Sequence, residues 1–180
     1  MSTPEWLSDL VSWAWDRHHN MLSWWIRPLF LIPYCWFAWK RNWLGIILTL
    51  LGLITSMAWF PAPDRTSPAV LEMLQSERDY LLGEWTVWKV AIALLIPLVF
   101  AGIALALWRR SIGWALVVIN AGVGFKIAWT FFFSGTDGAV AHLVPAAIGL
   151  AVVNAVMLLG ARWLRHRRDR PERVGQEVAS

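Results

Sequence analysis

Long apolar runs separated by short polar links dominate this chain of 180 residues. At a rise of about 1.5 Å per residue, several of them are long enough to cross most or all of a hydrocarbon core of roughly 30 Å. Such a pattern is typical of an all-α, polytopic membrane protein, because backbone inside lipid must satisfy its own hydrogen bonds. Four spans are predicted at residues 43–60, 87–108, 112–133 and 139–161.

A fifth apolar run, residues 24–39, is shorter and is interrupted by Pro28 and Pro33. Proline breaks the hydrogen-bond ladder of a helix, so this run has two interpretations. A full crossing gives a bundle of five transmembrane helices, and a re-entrant segment gives four. We expect the full crossing.

Two further segments have apolar residues at helical spacing on one face only. Residues 4–19 place Trp6, Leu10 and Trp13 together, which predicts an amphipathic helix lying on the membrane surface. The same apolar face would also serve a helix that packs on the end of the bundle. Next to it, His18 and His19 are adjacent, so a helix directs them to different faces.

Residues 67–82 lie between the second and third spans and begin with Ser67 and Pro68, a typical start of a helix. Their apolar positions recur at helical spacing: Val70, Leu71, Leu74 and Leu81. We predict a short amphipathic helix across the outer face. It acts either as a lid over a cavity or as a connector that hides its apolar face.

Composition and charge support one membrane domain, residues 1–180, with a defined orientation. Hydrophobic residues make up 58% of the chain, charged residues 16%, and the mean hydropathy is +0.50. Basic residues lie in the links at 40–41 and 109–110 and in the tail 162–180, whereas acidic residues concentrate on the opposite side. The positive-inside rule then places the basic links and the C-terminus in the cytoplasm and, with five spans, the N-terminus outside the cytoplasmic (inner) membrane.

Tryptophan and small residues have ordinary explanations in such a protein. Most of the 15 tryptophans fall near predicted span ends, where an indole meets both lipid and water. Small residues repeat every fourth position in three spans, which allows close helix packing within the chain or between copies. The three stripes are Gly102 with Ala106, Asn120 with Gly124 and Ala128, and Ala147 with Ala151 and Ala155.

Lys126 is the charged residue that the pattern places deepest in a span, about 10 Å below the outer boundary. A bare ammonium there costs on the order of 2.5–3.5 kcal/mol, so it either extends outward to the interface or faces a polar cavity. Asn120 and Asn154 have similar depth on neighbouring antiparallel helices and predict a mutual amide hydrogen bond. That bond would turn Lys126 and His142 toward one groove.

Polar and aromatic residues near the outer span ends complete a candidate ligand-binding site that opens outward between the last three spans. It consists of Lys126, His142, Glu84, Lys89, Trp129 and Arg27. Lys126 supplies the charge, His142 and Glu84 pair with it, and Trp129 forms a wall. In the alternative interpretation Glu84 and Lys89 are interface charges, His142 bonds a carbonyl, and no pocket forms.

These features leave three functions open. The first is binding, or help in transporting, a small anionic or amphiphilic ligand; the second is a structural or assembly subunit, as a homo-oligomer or with a larger membrane partner. The third is an intramembrane enzyme acting on a lipid or quinone. The sequence contains no zinc, nucleotide or nucleophile motif, so it predicts no cofactor. The basic tail needs no nucleic acid to explain it, and the lone Cys35 excludes an intramolecular disulfide.

Overall fold

A computed structural model describes residues 5–133 and 135–178, without the side chains of 132–142 and 167–178. Within these residues the chain forms helices and turns and no strand. The α-helices are α1 (Glu5–His18), α2 (Met21–Ile26), α3 (Leu31–Trp39), α4 (Trp43–Thr55), α5 (Pro68–Leu82), α6 (Val87–Trp108), α7 (Ile112–Phe133) and α8 (Gly135–Val178), with 3-10 turns at Arg27–Phe30 and Ser56–Ala58.

In the part of the chain that the structure describes, three helices are long and apolar enough to cross a membrane: Val87–Trp108, Ile112–Phe131 and Leu143–His166. The predicted span 43–60 corresponds to a shorter apolar helix, Trp43–Ala58. The predicted span 24–39 is divided among α2, the first 3-10 turn and α3. Proline explains that division, because Pro28 lies at the start of the 3-10 turn and cannot donate a hydrogen bond to the preceding α-helical turn.

The core lies where α3, α6, α7 and α8 pack together. Its most buried side chains include Tyr34, Ile103, Ile119 and Val153. Tyr34 also satisfies its hydroxyl by donating to the carbonyl of Phe100, at 2.8 Å. This hydrogen bond fixes α3 against α6, because the Tyr34 ring is buried there and a buried hydroxyl without a partner would cost free energy.

Helices α1 and α5 lie together at one end of this bundle, and we call these two helices the end cap. A second buried cluster joins Trp24, Val70, Met73 and Leu74 with the half-buried Trp15. Ser67 caps α5 by accepting a hydrogen bond from the amide of Val70, as the Ser-Pro pair predicted. The turns at 40–42 and 109–111 contact each other at the opposite end, through the Arg41 side chain and the Trp108 carbonyl.

Both amphipathic helices expose part of their predicted apolar faces. On α5 the buried stripe runs through Val70, Met73 and Leu74, whereas Leu71 and Leu81 are exposed. On α1, three apolar residues are exposed: Trp6, Leu10 and Trp13. Helix α1 therefore packs on the bundle through its C-terminal turns and leaves its N-terminal apolar face uncovered. The predicted first residue of this helix, Pro4, lies outside the described residues.

The predicted amide pair between α7 and α8 is confirmed. Asn120 Nδ2 donates to Asn154 Oδ1 at 2.9 Å, and Asn154 Nδ2 donates back to Asn120 Oδ1 at 3.2 Å. Each amide also donates to a carbonyl one turn earlier in its own helix, Leu116 and Leu150 respectively. All four amide donors are thus satisfied within the chain, which suits a polar pair at membrane depth.

The small-residue stripes serve different surfaces. Gly102 packs against Val118 of α7, and Ala106 is buried, so this stripe brings α6 and α7 together. Gly124 has no atom within 4 Å of the position of a Cβ, and Ala151 is exposed. A close approach also occurs at a glycine outside the predicted stripes, Gly149 of α8, where an added Cβ would overlap the ring of Pro28.

Candidate functional site

A polar cluster made of His18, Arg27, Glu77 and Lys126 lies between the end cap and the bundle. His18 ends α1, Arg27 begins the first 3-10 turn, Glu77 belongs to α5 and Lys126 to α7. The His18 side chain is only 3% exposed, and its ring contacts the rings of Trp15 and Trp24. A buried polar ring between two indoles needs partners for both of its nitrogens.

His18 finds those partners in Arg27 and Glu77. Its Nδ1 lies 3.2 Å from Arg27 Nη2, and its Nε2 lies 3.4 Å from Glu77 Oε2. A guanidinium only donates and a carboxylate only accepts. The geometry therefore assigns the neutral tautomer with its proton on Nε2, in which Arg27 donates to Nδ1 and Nε2 donates to Glu77. The imidazole links a cation to an anion without adding charge.

Lys126 brings a second cation to this cluster. Its ammonium lies within electrostatic range of Arg27 and of Glu77, and Arg27 lies within range of Glu77 as well. The Lys126 residue is exposed, whereas Arg27 is half-buried. With neutral His18, two positive charges face one carboxylate, so the cluster carries a net positive charge. Its accessible cation is the one that the sequence places at membrane depth.

Of the predicted site residues whose side chains the structure describes, Lys126 and Arg27 lie within electrostatic range of each other. Lys89 is buried and has partners of its own: its Nζ donates to the Gly83 carbonyl at 3.0 Å. The same ammonium lies 4.6 Å from the ring centre of Tyr80 and 4.8 Å from that of Trp85. A desolvated cation against two aromatic faces is strongly held, so Lys89 connects α5 to α6.

The other predicted residues have separate surroundings. Glu84 is exposed in the link between α5 and α6. Trp129 stacks on Phe125 and meets the edge of Tyr80, with ring centres 6.2 and 6.3 Å apart. The side chain of His142 lies outside the described residues. Among the residues whose side chains the structure describes, Glu77 rather than Glu84 is thus the carboxylate within range of Lys126.

Sequence reasoning missed His18 and Glu77, although each carries a recognisable signal. Glu77 continues the buried stripe of α5, following Val70 by seven positions and Leu74 by three. His18 follows the half-buried Trp15 by three positions. A polar residue that continues an apolar stripe at helical spacing must be buried with a partner or lie beyond the packed surface. The helical spacing of His18 and Glu77 from buried apolar residues, rather than a metal-ligand spacing, was therefore the signal in the sequence.

We call α2 and the 3-10 turn that follows it, residues 21–30, the α2 segment. An apolar groove lies on a face of this segment that is different from the face that carries Arg27. It has a volume of about 320 Å³ and runs between this segment and α8. Its lining is almost entirely apolar: Leu22, Trp25, Ile26, Leu29, Phe60, Pro145, Ile148, Gly149 and Val152. At about 100° per residue Arg27 points about 140° from Leu22, and at about 120° per residue of the 3-10 turn it points about 120° from Leu29. The groove and the polar cluster therefore occupy different faces of one segment.

Comparison with protein-family models, curated proteins and solved structures found no match. Among the described residues, no group of three or more His, Cys, Asp and Glu side chains is arranged to hold a metal ion. The chemistry of this site therefore follows from its charges and its depth. Two cations, one carboxylate and one imidazole can bind an anion or exchange protons.

Proposed function

We propose that this chain is an integral membrane protein of the cytoplasmic membrane that binds a small anion at the polar cluster. The observation that carries this proposal is that Lys126 and Arg27 both lie within electrostatic range of one carboxylate, Glu77, and that Lys126 is exposed. Two cations held near each other repel, and an anion between them would relieve that repulsion. A site at the edge of a low-dielectric region strengthens such an interaction.

Five crossings, with the cluster on the outer side, fit this function best. The end cap of α1 and α5 and the turn at 40–42 lie at opposite ends of the bundle, so the segment from Met21 to Trp39 connects the two ends. Its α-helical and 3-10 parts together rise about 30 Å, which matches a hydrocarbon core. The basic turns would then face the cytoplasm.

A small hydrophilic anion suits the cluster better than an amphiphile does. An amphiphile bound here would need an apolar channel that leads away from the charges. The groove beside α8 is apolar, but it lies on a different face of the α2 segment from Arg27. We therefore expect a ligand with one or two negative charges and no long hydrocarbon chain.

Replacing Lys126 by methionine tests this function. The Lys126→Met protein, purified in detergent, should lose at least about tenfold in affinity for the anions that bind the wild type, because a charged hydrogen-bond donor is removed. The measurement is calorimetric titration with inorganic phosphate, sulfate and acetate. Lys40→Met is the matched control, since Lys40 is exposed at the other end of the molecule and stacks on Trp36.

Thermal unfolding of the same samples separates binding from a structural role. If Lys126 serves an anion, Lys126→Met without ligand should be at least as stable as the wild type, because a like charge near Arg27 disappears. If Lys126 serves mainly to neutralise Glu77, the variant should unfold at a lower temperature. Unchanged anion affinity in Lys126→Met would count against the proposal.

A second function, as a subunit that docks on another membrane protein or on a second copy, has one supporting observation. The small-residue stripes of α7 and α8 are exposed, and Gly124 has open space beside it. Such surfaces allow close approach of another helix. Native mass spectrometry of the wild-type protein would distinguish the two functions by the mass it retains, a small anion or a second polypeptide.

A further inference from the structure

The two turns at the end opposite the polar cluster have the same construction. In each, an arginine adopts a left-handed conformation, with φ of 55° at Arg41 and 60° at Arg110. In each, the next amide returns to a carbonyl five residues earlier at 2.9 Å, from Asn42 to Phe37 and from Ser111 to Ala106. This is the Schellman pattern that ends a helix and reverses the chain. Here it is built with arginine in place of the usual glycine.

The two turns also interlock through a reciprocal exchange. The Arg41 guanidinium donates to the carbonyl of Trp108, the last residue of α6, at 2.8 Å. The Arg110 guanidinium lies over the ring of Trp39, the last residue of α3, at 4.5 Å. Each turn therefore places an arginine against the tryptophan that ends the helix leading into the other turn. This holds the two helical hairpins in a fixed relation.

A crevice with a volume of about 450 Å³ lies beside this junction. Its lining consists of Arg41, Trp43, Leu105, Trp108 and Arg109. The rings of Trp43 and Trp108 meet edge to face, with centres 4.6 Å apart, and form an aromatic wall. The crevice has two chemical ends, because Leu105 belongs to the apolar part of α6 whereas both arginines lie in the turns.

Neither Arg41 nor Arg109 has an acidic residue near it in the sequence. Residues 36–46 and 105–116 contain no Asp or Glu but include Lys40, Arg41, Arg109 and Arg110. Guanidinium groups match phosphate oxygens in planar, bidentate geometry. Tryptophans at this depth mark the headgroup boundary of a membrane. A ligand that satisfies both ends of the crevice has an anionic phosphate next to hydrocarbon.

We infer that this crevice binds the headgroup phosphate of an anionic phospholipid, with Arg41 and Arg109 on the phosphate and Leu105 and Trp43 along the hydrocarbon. Basic pockets between membrane helices on the cytoplasmic side are suited to such headgroups. The site is separate from the polar cluster and lies at the opposite end of the molecule. It does not depend on the anion proposed there.

The test uses the full-length protein in a neutral detergent, with phosphatidylglycerol or phosphatidylcholine added and retained lipid counted by native mass spectrometry. Wild type should retain phosphatidylglycerol in preference to phosphatidylcholine. Arg109→Gln should lower the affinity for phosphatidylglycerol by at least about tenfold, because a charge-assisted contact is lost. Lys40→Gln is the matched control: it removes one positive charge from the same end of the molecule, but Lys40 neither lines the crevice nor joins the contact between the two turns, so this variant should retain the lipid like the wild type.

Three results would overturn this assignment. Equal losses in Arg109→Gln and Lys40→Gln would show diffuse charge attraction without a defined site. Equal retention of the two lipids by the wild type would show that the net negative charge of the headgroup is not recognised, since both lipids carry a phosphate but only phosphatidylcholine carries a compensating cation. Displacement of phosphatidylglycerol by excess inorganic phosphate would identify free phosphate as the ligand. The last two measurements need only the wild-type protein, so a folding defect in a variant does not remove the test.

Discussion

At the scale of single residues, the polar cluster depends on the proton position of His18. Because Arg27 donates to Nδ1, the neutral ring can donate from Nε2 to Glu77. The ring thereby keeps the Arg27 guanidinium oriented while leaving its charge intact. Lys126 has no such intermediary among the described contacts of its side chain, and it is exposed. This difference leaves Arg27 held by the imidazole and Lys126 exposed.

Removing the imidazole should destabilise the cap. In His18→Leu, the Arg27 guanidinium loses its acceptor in a site that is shielded from water, so we expect the free energy of unfolding to fall by about 1 kcal/mol or more. Thermal unfolding in detergent, followed by circular dichroism, measures the change. His166→Leu is the control, since His166 is exposed and should have little effect. Equal stability of the two variants would mean that the His18 contacts contribute nothing.

At the scale of elements, the first 3-10 turn and α8 are fitted to each other. An alanine methyl at position 149 would overlap Cβ of Pro28 and lie 2.7 Å from its Cγ. The pyrrolidine ring is rigid and cannot move away as a flexible side chain would. Glycine at 149 is thus required by close approach. The α2 segment and α8 pack at this point, between the cap and the middle of the bundle.

Gly149→Ala should therefore be destabilising, by about 1–3 kcal/mol, as expected for overpacking. Gly124→Ala makes the same substitution at a helical position where the added Cβ would have no neighbour within 4 Å. It should be neutral or slightly stabilising, because alanine is the better helix former. Comparing the melting temperatures of the two purified variants tests this pair, and a Gly149→Ala protein as stable as Gly124→Ala would contradict the close packing.

At the scale of the whole molecule, charge is divided between its two ends. The polar cluster and the acidic residues of α5 lie at one end, and the two basic turns lie at the other. In the five-span arrangement that we propose, the chain crosses the membrane through Met21–Trp39 before it reaches the first basic turn. Orientation and the number of crossings can therefore be tested together at three exposed positions.

Single cysteines in a Cys35→Ala background test the topology. With five spans and the basic turns inside, a membrane-impermeant maleimide added to whole cells should label Ser12→Cys and Arg65→Cys. It should label Arg109→Cys only after the membrane is permeabilised. Labelling of Arg65→Cys but not of Ser12→Cys in whole cells would indicate a re-entrant first segment. The reverse pattern at all three positions would indicate the opposite orientation.

Much of the local structure was predictable from residue spacing. The 3.6-residue period places Asn120 and Asn154 at matching depth, and the predicted amide pair is present. The division of the first apolar run into α2, a 3-10 turn and α3 follows from Pro28. The candidate site was predictable only in part, since Lys126 and Arg27 come together but Lys89 instead binds the Gly83 carbonyl.

What the sequence by itself determined is the helical class, the three long apolar helices and the separation of basic from acidic links. These features follow from local composition and periodicity, which do not depend on how the helices pack against one another. The tertiary structure decided which carboxylate faces Lys126. Helix α5 is joined to the helices before and after it by non-helical links at 61–67 and 83–86, and Met73 and Leu74 pack against Trp24 to position it on the bundle. That long-range contact brings Glu77 to His18 and leaves Glu84 exposed.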